Sequence, residues 1–376
     1  MQSIWAIGLM TGTVLDGNID IAAIKTNGSV IEEFGPSAFT PYTNSTLSIL
    51  QEASIEAGNW NFNGPEPEIF KKAERLLTLE QTASIQNFIT EHGLTRNQIS
   101  IIGFHGQTVL HRPPTATKLG ATRQLGDGQL MAATLGIPVC YDFRSLDVAA
   151  GGHGAPLAAI YHQALLLSSP LPHSPADCAV LNLGGVGNIT WWDGGDQLIA
   201  FDCGPANAPI NDWVKNHSKG NMDRDGVFAD QGIVDEERLA SLLEAPFFYQ
   251  APPKSLDRNS FTHVMASNQC FENGAAFLTA FSASCVAKGL DLLPSRPRYL
   301  YICGGGRKNH SLLREIAKRC QVEVKTAEDI GWNGDFTEAE CFAFLAVRSK
   351  AGLPISFPNT TGAPHPLRGG KIADPL

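Results

Sequence analysis

A glycine-rich turn near the N-terminus has the composition of an anion-binding loop. The apolar segment Ile4–Met10 runs into small and hydroxyl-bearing residues, and a second apolar segment follows at 19–25. Glycine lets the backbone approach a ligand closely, and successive N–H groups can face an anion. Asp16 or Asp20 could hold a metal ion, directly or through water. An ordinary glycine-rich hairpin is the structural alternative, because short glycine motifs often occur by chance.

The same pattern returns about half a chain later. Residues 179–192 comprise an apolar segment, a Gly-Gly-Val-Gly-Asn turn at 184–188 and another apolar segment. Two such hairpins in corresponding places predict two related halves, each binding phosphate oxygens. Residues 299–306 form a buried strand that ends in three glycines, which would suit a nucleoside lying on the backbone. A flexible strand-to-helix joint is the alternative for this third segment.

Asp202 is a candidate general base. It follows the apolar strand predicted at 198–201, although aspartate is depleted in strands. Strand ends in α/β sheets are where ligands bind, and a carboxylate there could take a proton from water or a hydroxyl. The alternative is that Asp202 caps a helix predicted at 206–214.

An acidic, basic and glycine-rich loop supplies further polar groups. Arg144 could bind a substrate carboxylate with two hydrogen bonds, or it could pair with Asp142 or Asp147 within the loop. His105 and His153 could take part in a site, or each could be a structural hydrogen-bonding residue.

The elements that must position these residues alternate between strand and helix. Apolar periodicity predicts helices at 68–92, 227–243, 274–290 and 337–348, and short buried strands at 99–104 and 299–303. This alternation predicts an α/β fold. A Ser- and Pro-rich segment at 167–175 is the predicted linker, and the length of 376 residues is consistent with two domains of roughly 100–200 residues each.

Composition excludes several classes of protein. A net charge of -9 argues against a broad nucleic-acid surface, which needs clustered Lys and Arg. The eight cysteines include no CxxC pair, so neither a disulfide scaffold nor a zinc cluster is expected, and the thiols are expected to be reduced in a cytoplasmic protein. We expect no signal peptide, because the N-terminus lacks a basic segment. No stretch approaches the roughly 20 apolar residues of a membrane span.

Taken together, the motifs resemble the anhydro-N-acetylmuramic acid kinase family. Single motifs are not specific, but they occur in the family's order from residue 8 to about residue 363. The matching segments are GLMTGTxLDG (8–17), GFHGQT (103–108), QLGD (124–127), DFR (142–144), AAGGxGAPL (149–157), LNLGGVGNIT (181–190), FDCGPAN (201–207), DRDG (223–226), PPKS (252–255), CGGG (303–306) and EAECFAF (338–344).

The resemblance implies a fold, ligands and site residues. It implies an α/β, two-domain actin-like ATPase (ribonuclease H-like) fold with an interdomain nucleotide cleft, ATP and Mg²⁺ as ligands, and domains at 1–170 and 171–376. It implies Asp202 as the base that activates water, and His105, Arg144 and Glu338 as sugar contacts. The implied nucleotide-binding residues are Gly12, Thr13, Val14, Leu15, Asp16, Gly17, Asn18, Ile19, Asp20, Gly184, Gly185, Gly304, Gly305 and Gly306.

The implied activity is ATP-dependent phosphorylation of 1,6-anhydro-N-acetylmuramic acid at O6 with hydrolytic opening of the anhydro bridge, in peptidoglycan recycling. A cytoplasmic homodimer is also implied. The sequence departs from the family where Val14 stands for a usual Ser, Asn18 is inserted, and Cys203 replaces a usual Thr. An actin-like phosphotransferase for another sugar and a non-catalytic ATP-binding clamp are the alternatives, and the metal ligands are not assigned.

Overall fold

The computed structural model describes residues 2–11, 17–115, 117–256, 261 and 269–375. The chain divides into two compact units: unit 1 comprises Met1–Ser168 and Glu338–Leu376, and unit 2 comprises Ser169–Thr337. The first change of unit falls within the linker predicted at 167–175.

Strands and helices alternate along most of the chain. They are β1 (Ile4–Met10), β2 (Asn18–Thr26), β3 (Ile31–Pro41), α1 (Asn44–Trp60), α2 (Ile69–Glu91), β4 (Ile99–Phe104), β5 (Gln107–Arg112), β6 (Ala121–Leu125), α3 (Gly128–Leu135), β7 (Val139–Tyr141), α4 (Ser145–Ala149), α5 (Ala159–Ser168), β8 (Cys178–Leu183), β9 (Val186–Trp192), β10 (Leu198–Pro205), α6 (Asn207–Asn216), α7 (Glu236–Leu242), α8 (Phe271–Leu290), β11 (Tyr299–Cys303), α9 (His310–Cys320), β12 (Glu323–Thr326), α10 (Thr337–Lys350), α11 (Pro358–Thr361) and β13 (Lys371–Ala373).

The main sheets of the two units share a five-stranded topology, to which unit 1 adds β13 at one edge. In unit 1 the strand order is β13-β7-β4-β1-β2-β3, and in unit 2 it is β10-β9-β8-β11-β12. In both units the first three strands form an antiparallel meander, and two later strands add in parallel beside the first. This repeated arrangement confirms the expected α/β actin-like (ribonuclease H-like) fold and the relation between the halves that the two hairpins predicted.

Apolar side chains on these elements supply the two cores. In unit 1, strands β1 and β4 pack with helix α2, which buries Phe70, Leu77 and Ile85. In unit 2, helix α8 is buried along most of its length against β8 to β11. Helix starts follow local chemistry: the Asp127 carboxylate accepts a hydrogen bond from the Leu130 N–H (2.9 Å) at the start of α3.

The C-terminal segment Glu338–Leu376 belongs to unit 1. The domains expected from the sequence, at 1–170 and 171–376, had assigned it to the second domain. Strand β13 pairs antiparallel with β7, and helix α10 packs closely on the sheet. An added Cβ at Gly8 would lie 1.8 Å from the Ala339 carbonyl oxygen, and one at Gly103 would lie 2.0 Å from that of Phe342. Local sequence patterns do not reveal such long-range pairing, so the prediction divided the chain once, at the linker.

One predicted helix is largely wrong. The segment 227–243 contains a short 3-10 turn and then α7, which begins only at Glu236. The break lies at Gly232, whose extended backbone ends the 3-10 turn. A new helix then begins after Asp235, whose side chain caps it by accepting a hydrogen bond from the Arg238 N–H (3.0 Å).

The structure bears on two further expectations. No helix in the described parts of the chain is long and apolar enough to cross a membrane. None of the eight cysteines, all of which lie in described residues, forms a disulfide; Cys270 is exposed and the others are buried.

Candidate functional site

In unit 2, two of the glycine segments follow neighbouring parallel strands. Strands β8 and β11 pair in parallel with Cys303 opposite Asn182, so the loops after them emerge at the same edge of the sheet. A Cβ added at Gly304, where φ is +77°, would lie 2.3 Å from Asn182 Oδ1. One added at Gly306 would lie 2.6 Å from Leu183 Cβ. These positions therefore require glycine for the two loops to pack.

Gly184 and Gly185 have a different environment. An added Cβ would meet no atom closer than 3.6 Å at Gly184 and 3.5 Å at Gly185. Their carbonyl oxygens accept hydrogen bonds from the N–H groups of Asn207 (3.0 Å) and Ala206 (3.1 Å). The turn is thus fixed to the start of α6 while its outer side is open, as close backbone approach by a ligand requires.

A polar row crosses three strands of the same sheet. Asn182, Asn188 and Asp202 are register partners on β8, β9 and β10, so their side chains share one face. The Oδ1 atom of Asn188 is buried without a hydrogen-bond partner among the described residues. Amide and carboxylate oxygens are ligands that Mg²⁺ accepts, so this row fits a hydroxyl donor or a hydrated cation.

Asp202 is buried and held by a neighbouring segment. Its N–H donates to the Lys254 carbonyl oxygen (3.0 Å), and its Oδ2 accepts from the Leu256 N–H (2.8 Å). The N-cap of α6 is Ala206, and β10 continues to Pro205. The N-cap alternative for Asp202 is therefore wrong, and the aspartate lies within a strand beside a bulge.

Lys254 supports this segment from a buried position. Its ammonium donates to the Phe247 carbonyl oxygen (2.7 Å) and lies 4.3 Å from the centre of the Phe247 ring. Burial lowers the pKa of Lys254 to about 8, while nearby groups that include Asp202 oppose that shift. Lys254 was not among the predicted site residues, although it lies in the PPKS motif.

In unit 1, the structure brings His105 and Arg144 together. The His105 ring is buried, with Nδ1 2.8 Å from the Gly106 carbonyl oxygen and Nε2 3.2 Å from an Arg144 guanidinium nitrogen. A carbonyl only accepts and a guanidinium only donates, so His105 is neutral with its proton on Nδ1. Burial, with Arg144 second, lowers the pKa of His105 to about 3, which agrees with that assignment.

The loop around Arg144 is fixed by hydrogen bonds within it and by contacts with the C-terminal segment. Arg144 also donates to the Gly154 carbonyl oxygen (2.8 Å). Asp147 accepts from the Gly154 N–H and from the Thr361 hydroxyl, both at 2.6 Å. Asp142 forms an ion pair with Lys371 (2.8 Å).

Glu338 lies in the first turn of α10, where its side chain is exposed. Its charge and that of Arg144 act on the same group, because burial and Glu338 raise the pKa of the Cys341 thiol while Arg144 opposes the rise. The Phe342 ring, one turn beyond Glu338 along α10, lies 4.5 Å from the His105 ring between centres, so His105, Arg144 and Glu338 belong to one region of unit 1.

The first predicted nucleotide loop lies only partly in the described chain. Residues 12–16, which include Gly12, Thr13, Val14, Leu15 and Asp16, lie outside the described residues. Asn18, Ile19 and Asp20 are in strand β2 rather than in a turn, with Asp20 paired to Met10. The Gly17 carbonyl oxygen accepts a hydrogen bond from the Tyr42 N–H (2.9 Å).

A metal site does not stand out from the described residues. Among them, no group of three or more His, Cys, Asp or Glu side chains could hold a metal ion. The row at Asp202 adds the amides of Asn182 and Asn188, whose oxygen atoms are the kind that would complete a Mg²⁺ shell with water. The sequence placed Asn188 in the predicted phosphate-binding turn at 184–188, but its position opposite Asp202 is revealed only by the strand pairing.

Comparison with known proteins shows which family the chain resembles along its length. The model of the family described as "Anhydro-N-acetylmuramic acid kinase" matches residues 4–374. Relatives of that name from Brucella anthropi (56% identical, 99% of this chain and 100% of the relative) and Mesorhizobium japonicum (57%, with the same coverage) align with this chain. The relative of the same name from Rhizobium rhizogenes is 57% identical with complete coverage of both chains.

Solved structures give weaker likenesses. Component A of the (R)-2-hydroxyglutaryl-CoA dehydratase of Acidaminococcus fermentans is 11% identical with a TM-score of 0.46, covering 93% of this chain and 99% of that one. A ROK family glucokinase from Streptomyces griseus, in complex with glucose and AMPPNP, is 11% identical with a TM-score of 0.40, covering 91% and 99%. Scores this low support no inference about function. The full-length sequence matches do, and the chain belongs to the anhydro-N-acetylmuramic acid kinase family.

Proposed function

We propose that this chain is a kinase that opens 1,6-anhydro-N-acetylmuramic acid with water and transfers the γ-phosphoryl group of ATP to O6, giving N-acetylmuramic acid 6-phosphate. The observation that carries the proposal is the family match over residues 4–374, with relatives 56–57% identical along their whole length. This activity would place the enzyme in the recycling of peptidoglycan. The alternatives of another sugar or a non-catalytic clamp are not favoured by these matches.

Asp202 is the proposed base. A water oxygen attacks the anomeric carbon, Asp202 takes the water's proton, and the bond from C1 to O6 breaks. O6 then attacks the γ-phosphorus, and ADP leaves. The attack on an acetal carbon with the help of a carboxylate corresponds to the inverting type of glycoside hydrolysis. The hydrogen bond from the Leu256 N–H to Oδ2 orients the carboxylate.

The nucleotide is assigned to the glycine loops. The turn at Gly184 and Gly185 is open on its outer side, and its N–H groups are suited to phosphate oxygens. We assign the nucleoside to the segment of Gly304, Gly305 and Gly306, and further phosphate contacts to residues 12–20. When bound, Mg²⁺ would neutralise charge on the phosphate oxygens, and the amide oxygen of Asn188, which is buried without a partner among the described residues, is of the kind that would hold it together with water.

The sugar is assigned to unit 1. The second guanidinium nitrogen of Arg144 is within 3.2 Å of His105, which is neutral and therefore fixes the arginine without competing for an anion. Arginine binds a carboxylate with a rigid pair of donors, and the lactyl group of muramic acid carries a carboxylate. Glu338, exposed at the start of α10, is suited to accept a sugar hydroxyl.

Isotope labelling tests both halves of the reaction in one assay. Purified protein, Mg-ATP and 1,6-anhydro-N-acetylmuramic acid are incubated in ¹⁸O-water, and the product is analysed by mass spectrometry. A 6-phosphate with ¹⁸O at C1 is expected, because water supplies the new oxygen at the anomeric carbon. A sugar phosphate without ¹⁸O would contradict hydrolytic opening, and a lack of any product would contradict the proposed function.

Asp202→Asn tests the base. We expect turnover to be lost while ATP binding, measured by calorimetry, is kept, since the amide cannot take a proton. Asp196→Asn, an exposed aspartate in the turn between β9 and β10, is the matched control. Normal turnover of Asp202→Asn would remove Asp202 from this role.

Two properties beyond the catalytic site belong to the same proposal. We infer a cytoplasmic enzyme and a homodimer from the family. Sedimentation equilibrium measures the subunit number directly, and a monomer over the whole concentration range would contradict the dimer.

A further inference from the structure

The hairpin formed by β5 and β6 in unit 1 has one face that buries polar atoms without partners. Thr108 pairs with Gln124 and His111 pairs with Thr122 across the two strands, with a bulge between the pairs. Thr108 Oγ1, Thr122 Oγ1 and Gln124 Oε1 are buried and have no hydrogen-bond partner among the described residues. We call Thr108, Thr122 and Gln124 the polar hairpin face.

The opposite face of the hairpin has an ordinary structural role. Arg123 points toward α2, where it forms an ion pair with Glu74 (3.2 Å), and it forms a second with Glu66 (2.8 Å) in the segment before that helix. Leu125 lies in the core of unit 1. Because side chains alternate along a strand, Thr122 and Gln124 must point the other way, so packing against α2 does not account for them.

The polar hairpin face lies beside the residues assigned to the sugar. Gln124 Nε2 donates to the His105 carbonyl oxygen (3.2 Å), which fixes the amide and directs its oxygen elsewhere. Helix α4, which directly follows Arg144, packs against β6. Gly154 connects the hairpin to Arg144. Its carbonyl oxygen accepts a hydrogen bond from Arg144, and a Cβ added at it would lie 3.1 Å from the ring of His111 on β5.

Buried polar atoms without partners are rare in native proteins because each one loses its hydrogen bonds to water. Three on one face, next to a cation that can bind a carboxylate, indicate a ligand that supplies the missing bonds. The chemistry is specific: the Gln124 oxygen needs an O–H or N–H donor, and each threonine hydroxyl can donate or accept. A sugar ring with hydroxyl and acetamido groups provides both.

We propose that the polar hairpin face binds the hydroxyl and acetamido groups of the amino sugar, while Arg144 binds its carboxylate. This inference rests on the proposed function and adds the residues that select an uncharged, amide-bearing ring. The face recognises the ring, whereas the arginine recognises the acid. Loss of the face should therefore weaken sugar binding and leave nucleotide binding unchanged.

Thr108→Val and Thr122→Val test the proposal, because valine keeps the shape of threonine and removes the hydroxyl. Titration calorimetry with 1,6-anhydro-N-acetylmuramic acid should show a dissociation constant raised about tenfold or more in each variant, and the sugar KM should rise in parallel. The ATP KM should stay unchanged. The Tm should stay equal or rise, since an unsatisfied buried hydroxyl is removed. Thr122→Ser, which keeps the hydroxyl, should restore sugar affinity.

The control is Thr134→Val, an exposed threonine on α3 whose hydroxyl bonds to the Leu130 carbonyl oxygen (2.8 Å). It should leave every constant unchanged. Unchanged sugar affinity in both Thr108→Val and Thr122→Val, with binding by the wild type, would overturn this inference alone and would indicate that ordered water satisfies the face. If the wild-type protein neither binds nor phosphorylates the sugar, the proposed function fails first and this inference fails with it.

Discussion

Glu340 couples the stability of unit 1 to pH. Its carboxyl group is buried in helix α10 and accepts a hydrogen bond from the Tyr161 hydroxyl (2.6 Å) on α5. Burial raises the pKa of Glu340 from 4.5 to about 7, against the opposing effect of Tyr161. The folded state therefore holds this proton up to about pH 7, whereas the unfolded chain releases it near pH 4.5.

The sign and the size follow from proton linkage. Between the two pKa values the folded state binds more protons than the unfolded state, so stability falls as pH rises from about 4.5 to about 7 and is then constant. At about 1.36 kcal/mol per pKa unit, the ionised carboxylate costs the folded state about 3 kcal/mol above neutral pH. Glu340→Gln removes the charge and keeps an acceptor for Tyr161, so it should recover that free energy.

The assay is thermal unfolding of wild type and Glu340→Gln across this pH range. With about 2.1 cal/mol/K of unfolding entropy per residue over 376 residues, the variant should melt about 4 °C higher at about pH 8 if the chain unfolds in one step. The difference should shrink toward zero near pH 4.5. Glu52→Gln, an exposed glutamate on α1, is the control and should change Tm little at either pH. An equal Tm for wild type and Glu340→Gln at about pH 8 would refute the linkage argument.

Three further predictions concern the site. Gly304→Ala should weaken ATP binding and cost about 1–3 kcal/mol of stability, because its φ is +77° and the new methyl would lie 2.3 Å from Asn182. Gly305→Ala is the control and should be tolerated, because the nearest atom would lie 3.9 Å from the new methyl. Equal effects of the two variants on ATP affinity and on Tm would contradict the packing role of Gly304. Lys254→Met should lower kcat about tenfold without changing the sugar KM or ATP affinity, because the segment that orients Asp202, the proposed base, loses its anchor. An unchanged kcat in steady-state kinetics would show that the ammonium is dispensable. Arg144→Lys should raise the sugar KM about tenfold, since lysine lacks the paired donors, and an unchanged KM would argue against a carboxylate contact.

Much of the fold was predictable because its signals are local. Apolar segments gave β1, β4 and β11 close to their observed bounds, and the repeated hairpin anticipated the shared topology. The return of residues 338–376 to unit 1 was not predictable in this way, because it depends on pairing of β13 with β7. The helix expected at 227–243 is interrupted for a local reason that apolar periodicity ignores: the backbone is extended at Gly232, and Asp235 caps a new helix start.

The site shows the same limit, because one residue type serves two physical purposes. Glycines in the motifs at 8–17 and 103–108 look like ligand-binding glycines, yet Gly8 and Gly103 are required by the backbone of α10, which a Cβ would approach to within about 2 Å. A Cβ added at Gly184, in a similar motif of unit 2, would meet no atom closer than 3.6 Å. The sequence alone cannot distinguish a glycine that lets a helix pack closely from one that lets a ligand approach, because in both cases the glycine acts only by lacking a Cβ. The space around each residue separates the two cases: it gives Gly8 a role in packing, and it leaves room for a ligand at the turn of Gly184, where we propose that phosphate binds.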